Sequence, residues 1–459
     1  MARHKSDRNY KIDFKNKRVL VMGLGLHGGG VGAVRFLAKQ GALVTVTDLR
    51  TKKVLQPSLE KLKDLQGIAY VLGKHRENDV LKSDLIVKNP GVPPTSPYLA
   101  LARKHKIPVT TDMGIFFREC PGTIIGITGT RGKSTTAWLI GKFLQTKYRR
   151  VFLGGNIRKS VLEFLPELKL NDLIVLELSS FQLQDLSLDR VSPPVAVLTN
   201  FMRDHLNWHR SMAEYRAAKS VIFKFQKPED YLFANFDDPQ VRAMIRKAHS
   251  HVVLPRLAPQ YTLVVDEHLG AHYRSSVGLA IAVARHFRVK PDNILAVLKK
   301  FRGLEGRQER LPSVQGAHVI NDTTATIPDA AIAALMRVHA QKKPNERIIL
   351  IAGGSDKKLI FDDFAKVILR YADELVLLPG NATEKIKKNL QKMQTKNKEK
   401  NALPVHDAKT MHDACTKALN LARKGDWILL SPGATSFGLF MNEFDRGDQF
   451  VKEIKNLSK

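Results

Sequence analysis

The short apolar run Thr123-Ile124-Ile125 leads into Gly126-Ile-Thr-Gly-Thr-Arg-Gly-Lys-Ser-Thr-Thr136 and then into Ala137-Trp-Leu-Ile140. A buried strand, a glycine-rich turn ending in Lys-Ser and a helix commit this region to an α/β layer. The turn also has a chemical consequence, because its amides and the helix N-terminus converge on one point and cradle a polyphosphate. In such a cradle Lys133 reaches the terminal phosphate oxygens and the Ser134 hydroxyl reaches a magnesium ion. The spacing departs from the ordinary P-loop, which wants glycine six residues before the lysine, where this chain has Ile127. Gly129, Thr130, Arg131, Gly132, Lys133, Ser134 and Thr135 are therefore the expected ATP-binding set. A chance glycine turn is the plainer alternative, and the strand before it and the helix after it argue against that.

The same alternation of apolar runs and amphipathic stretches continues along almost all of the 459 residues. It predicts an α/β protein with largely parallel sheets, and the length suggests roughly three domains of about 150 residues each. No apolar run approaches the ~18 residues of a membrane span, and the basic start lacks the apolar core of a signal peptide. Two distant cysteines, Cys120 and Cys415, argue against a disulfide framework or a cysteine-ligated zinc. A cytoplasmic protein is expected. The net charge of +30 raises nucleic-acid binding. Its densest stretch, Lys385 to Lys400, holds no aromatic residue to stack on bases, so a solvated basic face is the preferred reading.

Near the N-terminus, Arg18-Val-Leu-Val-Met22 runs into Gly23-Leu-Gly25-Leu-His-Gly28, a helical segment follows, and Ala42 to Asp48 forms the next apolar run. Strand, G-x-G-x-x-G, helix, strand and acid form the context that gives this motif meaning. They predict a nucleotide diphosphate at the helix N-terminus with Asp48 near the sugar or base. The glycines do not decide between a dinucleotide and a UDP derivative. The rigid loop from Asn89 to Ser96 follows the strand Asp84 to Val87, and ligands gather at such strand ends. Further on, Leu173 to Leu176 ends in Glu177, an acid able to reach magnesium on the neighbouring ATP loop. Val195 to Leu198 is followed by Asp204-His205, where a ligand or substrate role for His205 outweighs a structural one. Lys219, in a helical stretch from Tyr215, reads by itself as a surface lysine. The last segment has three loops with possible ligand groups: Asn321 to Thr326, Gly353 to Lys358, and Ser431 to Ser436. Three in one domain suggest a ligand crevice.

In this order the residues resemble the Mur ligases, and within them the branch that adds D-glutamate. The likeness runs from about Val19 to the C-terminus. It rests on the variant ATP loop at 129–135, Gly154-Gly-Asn156-Ile157, Leu176 to Leu183, Asp204-His205 and Tyr215 to Lys219. It continues with Gly303-Leu304, Arg307, Asn321-Asp322, Gly353-Gly354, Lys357, Ser431-Pro432 and Arg446-Gly447. The resemblance implies three domains: a Rossmann-like UDP-sugar-binding domain at 1–111, a central P-loop-type ATPase domain at 112–303, and a C-terminal Rossmann-like α/β domain for the amino acid at 304–459. It implies UDP-N-acetylmuramoyl-L-alanine, D-glutamate and ATP as substrates, with two magnesium ions, and a monomer that binds neither membrane nor nucleic acid.

By the same likeness Lys133, Lys219 and His205 are catalytic, and Ser134, Glu177, His205 and a carbamylated Lys219 hold the metals. Leu26, His27, Asp48, Arg50, Asn89 and Asn156 line the UDP-sugar site. Arg307 and Asp322 clamp ATP, and Thr326, Lys357, Ser436 and Phe437 receive glutamate. Several positions depart from the family pattern: Arg131 and Ser276 each replace an asparagine, Thr324 stands where many relatives have lysine, and Glu443 falls where an aromatic residue often packs. Thr324 and Glu443 bear on the amino acid accepted, so a relative that adds L-glutamate is the nearest alternative. A nicotinamide-dependent oxidoreductase leaves the ATP loop and the last domain unexplained. A basic nucleotide- or nucleic-acid-binding relative without catalysis would have lost Lys133, Ser134, Glu177 and Lys219, and all four are present.

Overall fold

A computed structural model describes residues 12–457, apart from 27, 156–159, 207, 302 and 398–402. Three sheets form from the apolar runs. The first has the order Ala69–Leu72, Leu43–Asp48, Arg18–Met22, Leu85–Lys88, Val109–Thr110. The second has the order His251–Val253, Tyr231–Ala234, Val195–Leu198, Thr123–Thr128, Leu173–Glu177, Val151–Gly155. All pairings in these two sheets are parallel. Their central strands are buried along nearly their whole length, as Leu173–Glu177 and Val195–Leu198 show, because helices cover both faces of a parallel sheet.

The third sheet has the order Glu309–Val314, Ala317–Asn321, Trp427–Leu430, Ile348–Gly353, Glu374–Leu378, Val405–Asp407. Its first pair is antiparallel and the others are parallel. The sequence reading has no strand at Glu309–Val314, and the reason is chemical. Glu-Arg-Leu-Pro-Ser-Val is polar and contains Pro312, which a sheet tolerates only at an edge or a bulge. The strand is an edge strand, and its register shifts between Leu311 and Val314.

The chain forms two compact units, the first drawn from Met1–Met202, Met212–Leu263 and Tyr273–Lys299, the second from Arg203–Ser211, Val264–His272 and Lys300–Lys459. The first unit therefore holds two sheets. Helix Asp112–Glu119, capped by Thr111 accepting from the Gly114 amide, packs against both Gly29–Lys39 and Ser180–Asp189. A polar network sits at this junction. Lys88 Nζ lies 2.5 Å from Asp185, both side chains being almost fully buried, and Asp189 takes bonds from Thr110 Oγ1 and Arg118 Nη2. Burial, opposed by Lys88, pushes the Asp185 carboxyl up to about 6.

On the second unit, helix Asn381–Asn397 carries much of the lysine-rich stretch, and Lys385 and Lys387 pair with Asp356 and Asp407. Among the described residues no helix is long and apolar enough to cross a membrane.

The Lys88–Asp185 pair gives a stability prediction. Lys88→Met leaves a carboxylate buried without its cation and should cost about 3–5 kcal/mol, whereas Lys88→Met with Asp185→Leu should recover most of that loss. The sign with pH follows from the raised carboxyl. The folded state binds the Asp185 proton more tightly than the unfolded chain, so that contribution is full below 3.8 and is lost as pH rises through 6. Removing Lys88 raises the folded value further. The Lys88→Met deficit in urea unfolding should therefore be largest at neutral pH and shrink toward pH 4; a pH-independent deficit would mean that Asp185 does not drive it.

Candidate functional site

The ATP loop follows the central strand Thr123–Thr128, whose neighbours Leu173–Glu177 and Val195–Leu198 deliver their own carboxyl ends beside it. The loop's shape is set by what packs on it. Gly129 has φ 148°, and a Cβ there would overlap Thr199 Oγ1. Gly132, at φ 78°, caps the helix Lys133–Gln145, and a Cβ on it would lie 2.7 Å from Ser276 Oγ. Only glycine adopts both conformations at no steric cost.

Outside groups hold the loop's polar atoms. The Thr130 amide donates to Asn200 O, and the Arg131 amide donates to Asn200 Oδ1 at 2.8 Å. Arg131 O accepts from Thr199 Oγ1 and Asn200 Nδ2. Thr130 Oγ1 accepts from the Met202 amide and lies 3.2 Å from the Tyr215 hydroxyl. Lys219 Nζ, buried over the Tyr215 ring, donates to Gly129 O at 2.7 Å. Lys219 is thus a buried neighbour of the ATP loop, which its place in a helical run does not reveal.

Lys133, Ser134 and Thr135 open the helix. Lys133 Nζ donates to Thr130 O at 3.1 Å, arching over the loop. The Ser134 hydroxyl donates to the Glu177 carboxylate. Two hard oxygen donors therefore meet at the helix N-terminus. That fits magnesium, which takes one or two protein oxygens and completes its shell with phosphate oxygens and water.

In the first sheet, the strands Arg18–Met22 and Leu85–Lys88 are neighbours at the point where the strand order reverses, and ligands bind at such a crevice. A small cleft there is lined by Gly23, Gly29, Gly30, Lys88, Asn89 and Asp112, among others. The helix Gly29–Lys39 starts beside it. Asp48 is buried, and its two oxygens accept from the Gly25 and Arg50 amides, so it braces the glycine loop. Asn89 Oδ1 accepts from the Gly91 amide, Leu26 is partly exposed, and Arg50 Nη1 lies 4.0 Å from Asp48. His27 and Asn156 lie outside the described residues. Sequence reasoning missed Lys88 and Asp112 as cleft residues. A lysine closing the otherwise apolar strand Leu85–Lys88 was the available signal for one of them. Burial pushes the Asp112 carboxyl up.

In the second unit the strands Ala317–Asn321, Trp427–Leu430 and Ile348–Gly353 are adjacent, which brings the three loops after them together. Ser355 and Thr435 exchange backbone hydrogen bonds, and Ser355 Oγ donates to Phe437 O. Ser436 is buried and Phe437 is exposed. Asp322 accepts from Ser431 Oγ and the Gln308 amide, which ties it to the turn carrying Arg307. The Thr326 amide donates to Thr324 O. Arg446 is completely buried. It donates to Thr323 Oγ1, Thr323 O and Ala434 O, while Thr323 Oγ1 donates to Glu443 O. Burial lowers the Arg446 guanidinium to about 10, opposed by Glu443 and Asp322, so it stays charged at neutral pH. Lys357 Nζ lies 2.5 Å from Asp204 Oδ1, and Asp204 also accepts from the His205 amide. His205 has φ 55°, an unusual backbone conformation for a residue other than glycine.

The chain is similar to known proteins along nearly its whole length. Residues 17–111 match the Mur ligase MurD-like N-terminal domain, 127–276 the Mur ligase middle domain, and 306–433 the Mur ligase glutamate ligase domain. The UDP-N-acetylmuramoylalanine–D-glutamate ligase of Roseiflexus sp. (strain RS-1) is 40% identical over 97% of this chain and 100% of its own. The protein of the same name from Borreliella afzelii (strain PKo) is 36% identical over 97% of this chain and 99% of its own. Among solved structures, the UDP-N-acetylmuramate-alanine ligase MurC of Thermotoga maritima shares the fold with a TM-score of 0.61 at 18% identity, covering 96% of this chain and 100% of that one. The MurF ligase of Thermotoga maritima in complex with ADP does so at 0.57 and 16% identity, covering 97% and 96%. With the three family segments matched in order and relatives of this identity spanning nearly all of it, the chain belongs to the Mur ligase family.

Proposed function

We infer that this chain joins D-glutamate to UDP-N-acetylmuramoyl-L-alanine in an ATP-dependent step of peptidoglycan precursor synthesis. The observation that carries the chemistry is the meeting of Ser134 and Glu177 at the ATP-loop helix. It lies within a chain that matches D-glutamate ligases over 97% of its length.

A carboxylate is a poor electrophile and phosphate is a good leaving group, which is why ATP enters. The alanyl carboxylate oxygen attacks the γ-phosphorus, the bond to ADP breaks, and an acyl phosphate forms. The glutamate amine, as the free base, then attacks the acyl carbon. The tetrahedral intermediate expels phosphate, and one amine proton leaves with it. The protein aligns these groups and neutralises charge in advance. Lys133 and the N-terminus of its helix receive the γ-phosphoryl group, within the loop Gly129, Thr130, Arg131, Gly132, whose Thr130 and Arg131 amides are held by Asn200. Ser134 and Glu177 would hold one magnesium ion, and His205 and a carbamylated Lys219 would serve a second. Magnesium supplies Lewis-acid stabilisation of the phosphoryl oxygens.

In this proposal residues 1–111 take the UDP-sugar through Leu26, His27, Asp48, Arg50, Asn89 and Asn156. Residues 112–303 take ATP, and residues 304–459 contribute Arg307 and Asp322 to ATP and Thr326, Lys357, Ser436 and Phe437 to glutamate. The Lys357–Asp204 pair means that the incoming glutamate carboxylate competes with Asp204 for the same ammonium. The protein works as a cytoplasmic monomer.

The deciding measurement is phosphate release with ATP, magnesium and UDP-N-acetylmuramoyl-L-alanine. Release should depend on D-glutamate, with a product heavier by one glutamyl residue. Release with L-glutamate alone would keep the mechanism and move the chain to the other branch. No release with any amino acid would overturn the ligase reading. The Lys133→Ala variant should lose ATP-dependent release by about 100-fold or more while still binding the UDP-sugar, measured by calorimetry. Lys219→Ala should lose turnover to a similar extent, and a short-chain carboxylate should restore part of it; unchanged turnover would remove the carbamate role.

A further inference from the structure

In the second unit the Thr324 hydroxyl lies between the Arg307 guanidinium and the backbone of the turn that carries it. Arg307 Nη1 donates to Thr324 Oγ1 at 3.3 Å, and the same hydroxyl donates to Gly306 O at 3.0 Å. One hydroxyl thus accepts from the guanidinium and passes its own proton to the carbonyl of the residue before that arginine. The Thr324 side chain is 8% exposed, so the exchange is shielded from water. Two further bonds fix the turn independently of the hydroxyl: the Thr324 amide donates to Gly306 O, and the Gln308 amide donates to Asp322 Oδ1. The backbone holds the turn, and the hydroxyl bonds the guanidinium it carries.

A lysine at 324 cannot do this. An ammonium has three donors and no acceptor, so it can neither receive the Arg307 proton nor sit beside the guanidinium without repulsion. We propose that Thr324 is a positioning residue that orients the Arg307 guanidinium toward the nucleotide. The inference rests on the ligase reading above, in which Arg307 meets ATP.

The test uses the full chain and four substitutions. Thr324→Val keeps the shape and the backbone bonds but removes the hydroxyl, and Thr324→Ser keeps the hydroxyl. Thr324→Val should raise the KM for ATP about tenfold, the scale of one hydrogen bond to a charged group, and leave the KM for UDP-N-acetylmuramoyl-L-alanine unchanged. Thr324→Ser should restore wild-type values. Arg307→Ala should weaken ATP, and adding Thr324→Val to it should do nothing more, because the threonine acts through the arginine. An unchanged ATP KM in Thr324→Val would overturn the proposal, as would an effect of equal size on both substrates. So would a full additional loss in the double variant. Melting temperatures of all variants separate misfolding from mispositioning. Wild-type protein that releases no phosphate would instead count against the ligase reading itself.

Discussion

An ATP loop has to stay rigid while the N-terminus of its helix stays open to a ligand, so the rest of its backbone needs partners outside the loop. Everything around residues 129–135 answers that constraint. The strand end after Leu198 supplies Thr199, Asn200 and Met202, which between them bind both polar backbone atoms of Arg131 and the amide and hydroxyl of Thr130. Helix Met212–Lys224 supplies the Tyr215 hydroxyl and the Lys219 side-chain nitrogen. The scaffold in turn depends on Asp238, whose carboxylate accepts from the Phe201 amide while capping the helix Pro239–Ile245. The loop is thus preorganised by its neighbours, which spares it reorganisation when charge develops on the phosphoryl group.

The second unit solves a related problem with a buried arginine. The loop 321–326 and the loop 431–436 follow adjacent strands, but adjacency alone leaves their tips free to splay. Arg446 binds Thr323 in one and Ala434 in the other, with every hydrogen bond made inside the protein. A guanidinium suits this because its planar fork fixes both direction and distance, which a lysine would not. The proposed ATP clamp and the proposed glutamate loop therefore form one piece.

The fold was largely legible in the sequence because buried parallel strands read as uninterrupted apolar runs, and each glycine-rich loop sat at the end of one. The edge strand Glu309–Val314 was hidden for the opposite reason, since half its groups face solvent and Pro312 breaks its pattern. Within the ATP site, Lys133 and Ser134 were visible from the glycine-rich turn between strand and helix, and Glu177 from its place at a strand end. Asn200 and the Tyr215 hydroxyl were not, because a residue that braces a backbone carries no spacing rule. Long-range partners are invisible in a single chain for the same reason. Nothing local to Lys88 announces Asp185, 97 positions away.

That distant pair also lies at the junction of the first two sheets. An apolar seam between helices tolerates small slips, since hydrophobic contact is non-directional. A buried ion pair does not, because a shift of an ångström or two leaves a charge in low dielectric without its partner. Lys88 is the residue before Asn89 in the cleft of the first sheet, and Asp185 lies on the helix that begins three residues after Glu177 at the ATP loop. The pair therefore ties the frame of one site to the frame of the other at a single register. Asp189, held by Thr110 and Arg118, adds a second tie one helical turn further on. A ligation that must carry a UDP-bound carboxylate to a γ-phosphate gains from such a seam. The buried pair favours one register of that seam, because apolar contact alone is non-directional.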